Sequence, residues 1–368
     1  MGKTSLSLGL VSALKGRGVN VGFMKPVGQQ HVSVQGVDKQ TGQPVKLQVD
    51  KDCRLFNEFF SLGANYSHMS PVVMRAGQTK RILDGGKESM AGKLLKDIQG
   101  AYQCLLGDHD FIVCEGTGHV GVGAIGGVSN ATVAARLGSD VVLVSEGGLG
   151  SAFDEIYLNR QACTMAGANV VGVVLNKVIP EKRDMIEQYF KLALRDWGIP
   201  LLGCIPFDNE LERKANFDVE KLFRTEMHPT HRKTHLFDHP VGITIASGTL
   251  REFETALENN VLHKQAIVVN ESRTDIIDCL CRGHHPGNLV IVLGAHNRKS
   301  MGPLELLFSK CPSLYLPESG EHAAAAVVSS FQGHVAKFNE FDVARTKRAT
   351  EVIARNIHLD EIMRACHP

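Results

Sequence analysis

Five short stretches carry side chains suited to phosphate and a divalent cation. The chain opens "MGKTSLSLGL", so Gly2, Lys3 and Thr4 read as the last three residues of a phosphate-binding loop, G-x-x-x-x-G-K-[ST]. The first half of that loop has no counterpart, because Met1 stands at its last variable position. In such a loop, backbone N–H groups and a helix N-terminus face the phosphates. Lys3 then reaches the β and γ phosphates, Thr4 takes Mg²⁺ through its hydroxyl, and Gly2 and Ser5 contribute at the same turn. A chance GKT is the alternative. In "MKPVGQ", Lys25 ends an apolar run and is placed to neutralise a carboxylate or a transferred phosphoryl group; a solvated lysine is the alternative. In "VDKDCRLF", Asp50 and Asp52 stand two apart; one can complete a Mg²⁺ shell, or either can cap the following helix. In "CEGTGH", Glu115 ends an apolar run and can hold Mg²⁺, while Gly116 lets backbone approach phosphate. In "VVLNKV", Asn176 offers a paired donor and acceptor for a purine edge, or caps the next turn.

These stretches need elements to position them. Up to about residue 225 the pattern alternates apolar strands ("VNVGFMKPV", "HDFIVCEGTG", "SDVVLVSEGG", "ANVVGVVLNKV", "IPLLGCIPFD") with helices ("SNATVAARLG", "FDEIYLNRQACTMAG", "KRDMIEQYFKLALRDWG"). Near-continuous Val/Ile/Leu strands separated by helices imply a parallel sheet covered on both faces. Ligands of such sheets bind beyond the C-terminal ends of the strands, where Lys25, Glu115, Ser145 and Asn176 fall. Residues 226–240 are rich in His and Pro and lack periodicity, which implies a linker. Their histidines, His228, His231, His235 and His239, have no carboxylate-bounded helical face for a metal. A second, smaller α/β pattern follows over 241–368, with "VGITIASG", "QAIVVNES", "NLVIVLGAHN" and "SLYLPES" as strands. "TDIIDCLCRG" and "EHAAAAVVSSFQG" read as helices, and "VARTKRATEVIARNIHLDEIMRAC" as a helix and a shorter helical turn.

Composition narrows the class. The 368 residues are 43% hydrophobic and 21% charged, ordinary for a globular protein with a large core. A formal net charge of +1 supplies no field for nucleic acid or an anionic membrane. No apolar run reaches the roughly 18 residues of a membrane span, and no leader with a cleavage site is visible. The expected compartment is the cytoplasm, or an organelle if a targeting segment precedes Met1. The nine cysteines are scattered without a CxxC pair, which fits reduced thiols and neither a disulfide framework nor a zinc site.

Taken together, "FMKPVGQ", "DKDCRLF", "SPVVM", "HDFIVCEGTGHVGVGAIGGVSNATVAARLGSDVVLVSEGGLGSAFDEIYLN", "VVGVVLNKV" and "IPLLGCIPFDNEL" resemble the dethiobiotin-synthetase-like P-loop domain. The version most like it stands at the N-terminus of long phosphate acetyltransferases, and the match runs over about residues 2–225. The remainder resembles the DRTGG domain that follows there, through "AIVVNESRTDIIDCL" and "VSSFQGHVAKFNEFDVARTKRATEVIARNIHLDEIM". The literal DRTGG string is absent, "LGAHNRKS" occupies its loop, and no acetyltransferase domain follows. The resemblance implies a parallel-sheet P-loop NTPase domain followed by a smaller α/β domain. It implies ATP or another nucleoside triphosphate with Mg²⁺ at Gly2, Lys3, Thr4, Ser5, Glu115, Gly116 and Asn176, the metal resting on Thr4, Asp52 and Glu115. Lys3 and Lys25 become the candidate catalytic lysines, and His119 departs from the synthetase-like "EGAGG" turn. The missing first strand and loop start imply a truncated form whose parent carries the full loop.

Three functions compete. The first is a nucleotide-binding regulatory or assembly module, partnered by a second copy or by a phosphate acetyltransferase-type protein. The second is an ATP- and Mg²⁺-dependent ligase of the dethiobiotin synthetase or cobyrinic acid diamide synthase type. The third is a nucleotide-free interaction protein that keeps only the fold. Matching both domains favours the first.

Overall fold

The longest apolar runs form buried parallel strands, as their continuous Val/Ile/Leu content implies. The computed structural model describes residues 2–37, 43–75, 77–212, 217–218, 222–223, 225, 236–237, 242–283, 285, 287–294, 302–317, 321–333, 338 and 342–366. The chain divides into two units, Met1–Glu212 with Phe338–Pro368, and Arg213–Lys337.

In the first unit, α1 (Lys3–Gly16) leads to β1 (Val21–Met24), β2 (Val27–Gly28) and an antiparallel hairpin of β3 (His31–Val37) and β4 (Pro44–Asp50). Then come α2 (Lys51–Phe59), α3 (Tyr66–Met69), β5 (Val72–Val73), α4 (Gln78–Asp84) and α5 (Lys87–Asp108). The remaining alternation is β6 (Phe111–Cys114), α6 (Asn130–Leu137), β7 (Val141–Glu146), α7 (Gly150–Ala166), β8 (Val170–Val178), α8 (Arg183–Leu194), β9 (Leu201–Pro206) and α9 (Asn209–Glu212). β1 pairs in parallel with β6, Val21 opposite Phe111 and Met24 opposite Cys114. β7, β8 and β9 form a separate three-stranded parallel sheet. Caps set the helix starts: Asp50 accepts from the Asp52 amide ahead of α2, and Ser129 accepts from the Thr132 amide ahead of α6.

The second unit holds β10 (Phe217–Asp218), β11 (Leu236–Phe237), β12 (Gly242–Ile245), α10 (Leu250–Glu258), β13 (Gln265–Asn270), α11 (Thr274–Arg282), β14 (Leu289–Leu293), α12 (Gly302–Lys310), β15 (Ser313–Leu316) and α13 (Glu321–Gly333). β12–β15 form one continuous parallel sheet in chain order. Thr249 and Glu252 make a reciprocal capping box at the start of α10.

The unit boundaries differ from the sequence reading of 1–225, a linker at 226–240, and 241–368. The first unit stops at Glu212, because Leu222 and Phe223 pack on the β12–β15 sheet and the Thr225 hydroxyl donates to the Tyr315 carbonyl. Within the expected linker, Leu236–Phe237 pairs antiparallel with Phe217–Asp218; the rest of that stretch, with His228, His231, His235 and His239, lies outside the described residues. So does the 295–300 part of "LGAHNRKS". The C-terminal helices α14 (Val343–Ala354) and α15 (Leu359–Cys366) belong to the first unit, where Leu6, Val352, Ile353, Ile357 and Ile362 share a core with Val174 and Leu202. Gly9 permits that contact, since a Cβ there would lie 2.1 Å from the Ile353 Cβ. The Arg348 guanidinium also binds Asp208 at 2.8 Å.

Candidate functional site

The C-terminal ends of β1 and β6 lie side by side, so their next residues do too. The Glu115 amide donates to the Met24 carbonyl at 2.8 Å, and the Lys25 amide donates to the Met69 carbonyl at 2.8 Å. That pinning aims the Lys25 and Glu115 side chains at each other. Lys25 Nζ donates to Glu115 Oε1 at 2.8 Å and to Asp52 Oδ2 at 2.7 Å. Thr4, in the first turn of α1, donates its hydroxyl to the same Glu115 Oε1 at 2.8 Å. Lys25, Asp52 and Glu115 are only 5%, 7% and 4% exposed.

Asp50 and Asp52 divide the two roles the sequence left open. Asp50 caps α2 and accepts from the Gln29 and Gln30 amides, while the Ser70 hydroxyl accepts from its own amide. Asp52 reaches Lys25. Three buried carboxylates thus face one ammonium, an excess of negative charge in a poorly solvated place. Burial by itself would lower the Lys25 ammonium, but the Glu115 and Asp52 charges outweigh it and hold it above the usual lysine value. Burial raises the Glu115 carboxyl, against the pull of Lys25 and with a push from Asp52. Burial, then the neighbouring Asp52 charge, raises Asp50.

Glu115 Oε2 is buried and has no hydrogen-bond partner among the described residues. Buried carboxylate oxygens are ordinarily paired, so this one is an acceptor waiting for a cation or donor. A hydroxyl and two carboxylates are the donor set magnesium takes when it keeps several waters and phosphate oxygens. No group of three or more His, Cys, Asp or Glu side chains is set to hold a metal among the described residues, so a cation here would need such outside ligands.

Gly2 opens α1 at φ 76° with no side-chain cap. A Cβ on Gly2 would fall 2.0 Å from Asn176 Nδ2, so glycine is required here by both φ and space. Asn176 on β8 is buried and stands at the start of α1. Lys3 and Ser5 sit half-buried in that first turn. Gly116 is held against Asn130, whose side chain a Cβ would meet at 2.9 Å. His119 is exposed, and its Nδ1 accepts from the Gly121 amide at 3.2 Å.

Sequence reasoning missed the residues that shape the Gly-rich loop. Asn130 donates to the Thr117 and His119 carbonyls at 2.8 Å each, and the Thr117 hydroxyl donates to the Val27 carbonyl at 2.6 Å. The signal was the Ser129-Asn130 pair directly after the glycines, which reads only as a helix start. Ser145 donates to Glu155 Oε2 at 2.7 Å, joining β7 to α7. All nine cysteines are free thiols, and no helix among the described residues is long and apolar enough to cross a membrane.

Residues 1–215 match the family described as AAA domain. The chain is 28% identical over 237 residues to a phosphate acetyltransferase of Pseudomonas putida, covering 62% of this chain and 31% of that protein. It is 29% identical over 239 residues to the Pseudomonas aeruginosa phosphate acetyltransferase, 60% of this chain and 30% of that one. It is 25% identical over 227 residues to the ATP-dependent dethiobiotin synthetase BioD of Methanocaldococcus jannaschii, 61% of this chain and 95% of that protein. The chain therefore spans under a third of the length of the phosphate acetyltransferases it matches and nearly all of the synthetase. A helix opening on Gly2-Lys3-Thr4, tied through Glu115 to Lys25 and Asp52 and carried on a fold matched from residue 1 to 215, makes this chain a member of the AAA domain family, with a P-loop domain homologous to phosphate acetyltransferase and dethiobiotin synthetase.

Proposed function

We propose that the first unit is a Mg²⁺-nucleotide-binding module with a regulatory or assembly role, related to the matching region of phosphate acetyltransferases. The observation that carries this reading is the buried, unpartnered Glu115 Oε2 beside Thr4, Lys25 and Asp52. A phosphate chain at the α1 N-terminus would meet Gly2, Lys3 and Ser5, with Gly116 close by and Asn176 toward the base. Thr4, Asp52 and Glu115 would hold the Mg²⁺, which supplies charge neutralisation for the phosphates. With the cation present, Glu115 and Asp52 have a second positive partner, and Lys25 becomes free to turn to a phosphate or substrate oxygen. A second copy or a phosphate acetyltransferase-type protein is the proposed partner of this module.

A second reading is an ATP-dependent ligase. It is favoured by Lys25, a buried lysine at the end of β1 bonded to Glu115, and by the near-complete coverage of the synthetase relatives. Such a ligase would transfer a phosphoryl group to a carbamate or carboxylate, largely by positioning and charge neutralisation.

Thermal unfolding with and without Mg²⁺-ATP and Mg²⁺-GTP tests the shared core of both. Nucleotide at about a hundred times its dissociation constant adds about 2.7 kcal/mol. Lys3→Ala and Glu115→Gln should each abolish that gain. The gain should also fade on acidification at a pH above the ordinary carboxylate range, because burial raises the Glu115 carboxyl. An undiminished gain in both variants rejects the site. ADP release on adding amine and bicarbonate, beyond a slow basal rate, would favour the ligase.

A further inference from the structure

Among the described residues the hairpin of β3 and β4 is a sheet of two strands, and its register runs without a shift from His31 opposite Asp50 to Val37 opposite Pro44. Successive residues of a strand turn their peptide groups to opposite edges. The Lys51 amide donates to the Gln30 carbonyl at 2.8 Å, which sets the ladder bonds of β3 at Val32, Val34 and Gly36. The peptide groups of His31, Ser33, Gln35 and Val37 therefore turn to the outer edge, where His31, Ser33 and Gln35 are exposed.

The two outer edges of the hairpin differ. On β4, Pro44 has no amide to offer, Lys46 brings a charge, and the Asp50 amide already donates to the Ser70 hydroxyl at 2.9 Å. Proline and lysine are usual means of keeping a strand edge from pairing. β3, "HVSVQGV", has no proline, lysine, arginine, acidic residue or bulge. A two-stranded hairpin is marginal in water, and further strands stabilise it. The spacing on β3 says which strand fits. Positions 31, 33, 35 and 37 are symmetric about Val34. Two antiparallel copies of β3 therefore put Ser33 of one opposite Gln35 of the other, and His31 opposite Val37. Every outward peptide group then meets another, in about eight backbone hydrogen bonds, and no like charges are opposed.

We propose that β3 pairs antiparallel with β3 of a second copy of this chain, in the register centred on Val34, so that two hairpins become one four-stranded sheet across a two-fold axis. The choice of a second copy rests on the assembly reading above; the pairing itself makes no use of nucleotide. A seven-residue edge is about 23 Å long and covers less than the roughly 800 Å² per partner of a standard interface. The dimer is accordingly weak, forming at about 10 μM and above.

The test is sedimentation equilibrium of the full chain without nucleotide, from about 1 μM to 1 mM, where the chain should pass from monomer to dimer. Two double variants change only exposed side chains of the edge. Ser33→Lys with Gln35→Lys opposes like charges across the axis, while Ser33→Lys with Gln35→Glu opposes unlike ones. The first should dimerise about tenfold or more weakly than the second. Register is read by thiol cross-linking with diamide. Val34→Cys meets its own copy at the axis and should give a covalent dimer well above the parent chain with its nine thiols. Val32→Cys falls opposite Gly36 and should stay at the parent level. A chain that remains monomeric throughout, equal dimerisation of the two double variants, or equal cross-linking from positions 32 and 34 would each overturn the proposal. Should a cysteine variant fold poorly, the two double variants decide alone. A dimer that behaves as stated, in a chain that Mg²⁺-ATP does not stabilise, would leave the pairing standing and remove the nucleotide reading instead.

Discussion

The two units apply one plan with opposite results. Both arrange apolar strands in parallel, each followed by a helix. In the second unit β12–β15 pair without a break, and among the described residues its buried polar ones, Asn288 and Ser313, are neutral. Its ion pair Arg273–Asp275 stands at the rim in reach of water. The first unit, among the described residues, holds its parallel strands in the separate sets β1–β6 and β7–β9, and buries Lys25, Asp50, Asp52 and Glu115 together. Burying charge is costly and a hydrophobic core folds without it, so the α/β plan does not by itself require this cluster. Strand ends that carry buried ionisable groups beside an open helix terminus mark the unit where chemistry is expected.

The largest effect should come from breaking that cluster. Lys25→Met leaves Asp52 and Glu115 without their ammonium and should cost the first unit about 3–5 kcal/mol in urea unfolding. Trp197, the only tryptophan, lies in the first unit, so its fluorescence reads that unit alone. The pH profile has a definite sign. The folded Lys25 ammonium is held above its ordinary value of 10.5, so its contribution is full below that pH and is lost as pH rises through the folded value. The gap between the parent protein and Lys25→Met should therefore stay flat up to about pH 10 and narrow above it. A gap that narrows near neutral pH would mean that Lys25 is not the paired cation.

A cut into the uncharged sheet sharpens the contrast. Ile291, fully buried in β14, should cost about 2–5 kcal/mol when changed to Ala, and the loss should appear in far-ultraviolet circular dichroism. The Trp197 transition should hold its midpoint. If it shifts in step, the units unfold as one and the contrast between them is not energetic. At the small end, Arg54→Ala removes a half-exposed pair with Glu58 along α2 and should cost only about 0.3–0.5 kcal/mol, two residues from the buried Asp52. A cost near that of Lys25→Met would show that α2 as a whole, rather than the buried charge, sets the stability of this region.

Much of this was legible in one dimension. The order of apolar runs predicted the strands around Val21–Met24, Phe111–Cys114, Val141–Glu146, Val170–Val178 and Leu201–Pro206, because a strand buried on both faces must be apolar throughout. It also put Lys25 and Glu115 at strand ends. The hairpin of β3 and β4 escaped notice: "HVSVQGV" and "PVKLQVD" alternate weakly and mix polar residues on both faces.

What the sequence by itself determined is therefore local: which segments are strands, where helices start, and that Lys25 and Glu115 stand at strand ends. Periodicity, capping and turn preferences act within a few residues, so the chain states them directly. The tertiary structure decided the rest. It gave Asp50 to the cap and Asp52 to Lys25, roles that the residue types alone left open. It packed α14 against α1 through Gly9, more than 300 residues apart in the chain. Each of these depends on which surfaces meet in space, and pairing between distant segments is set by packing and by the cost of burying unpaired groups, neither of which a local pattern records.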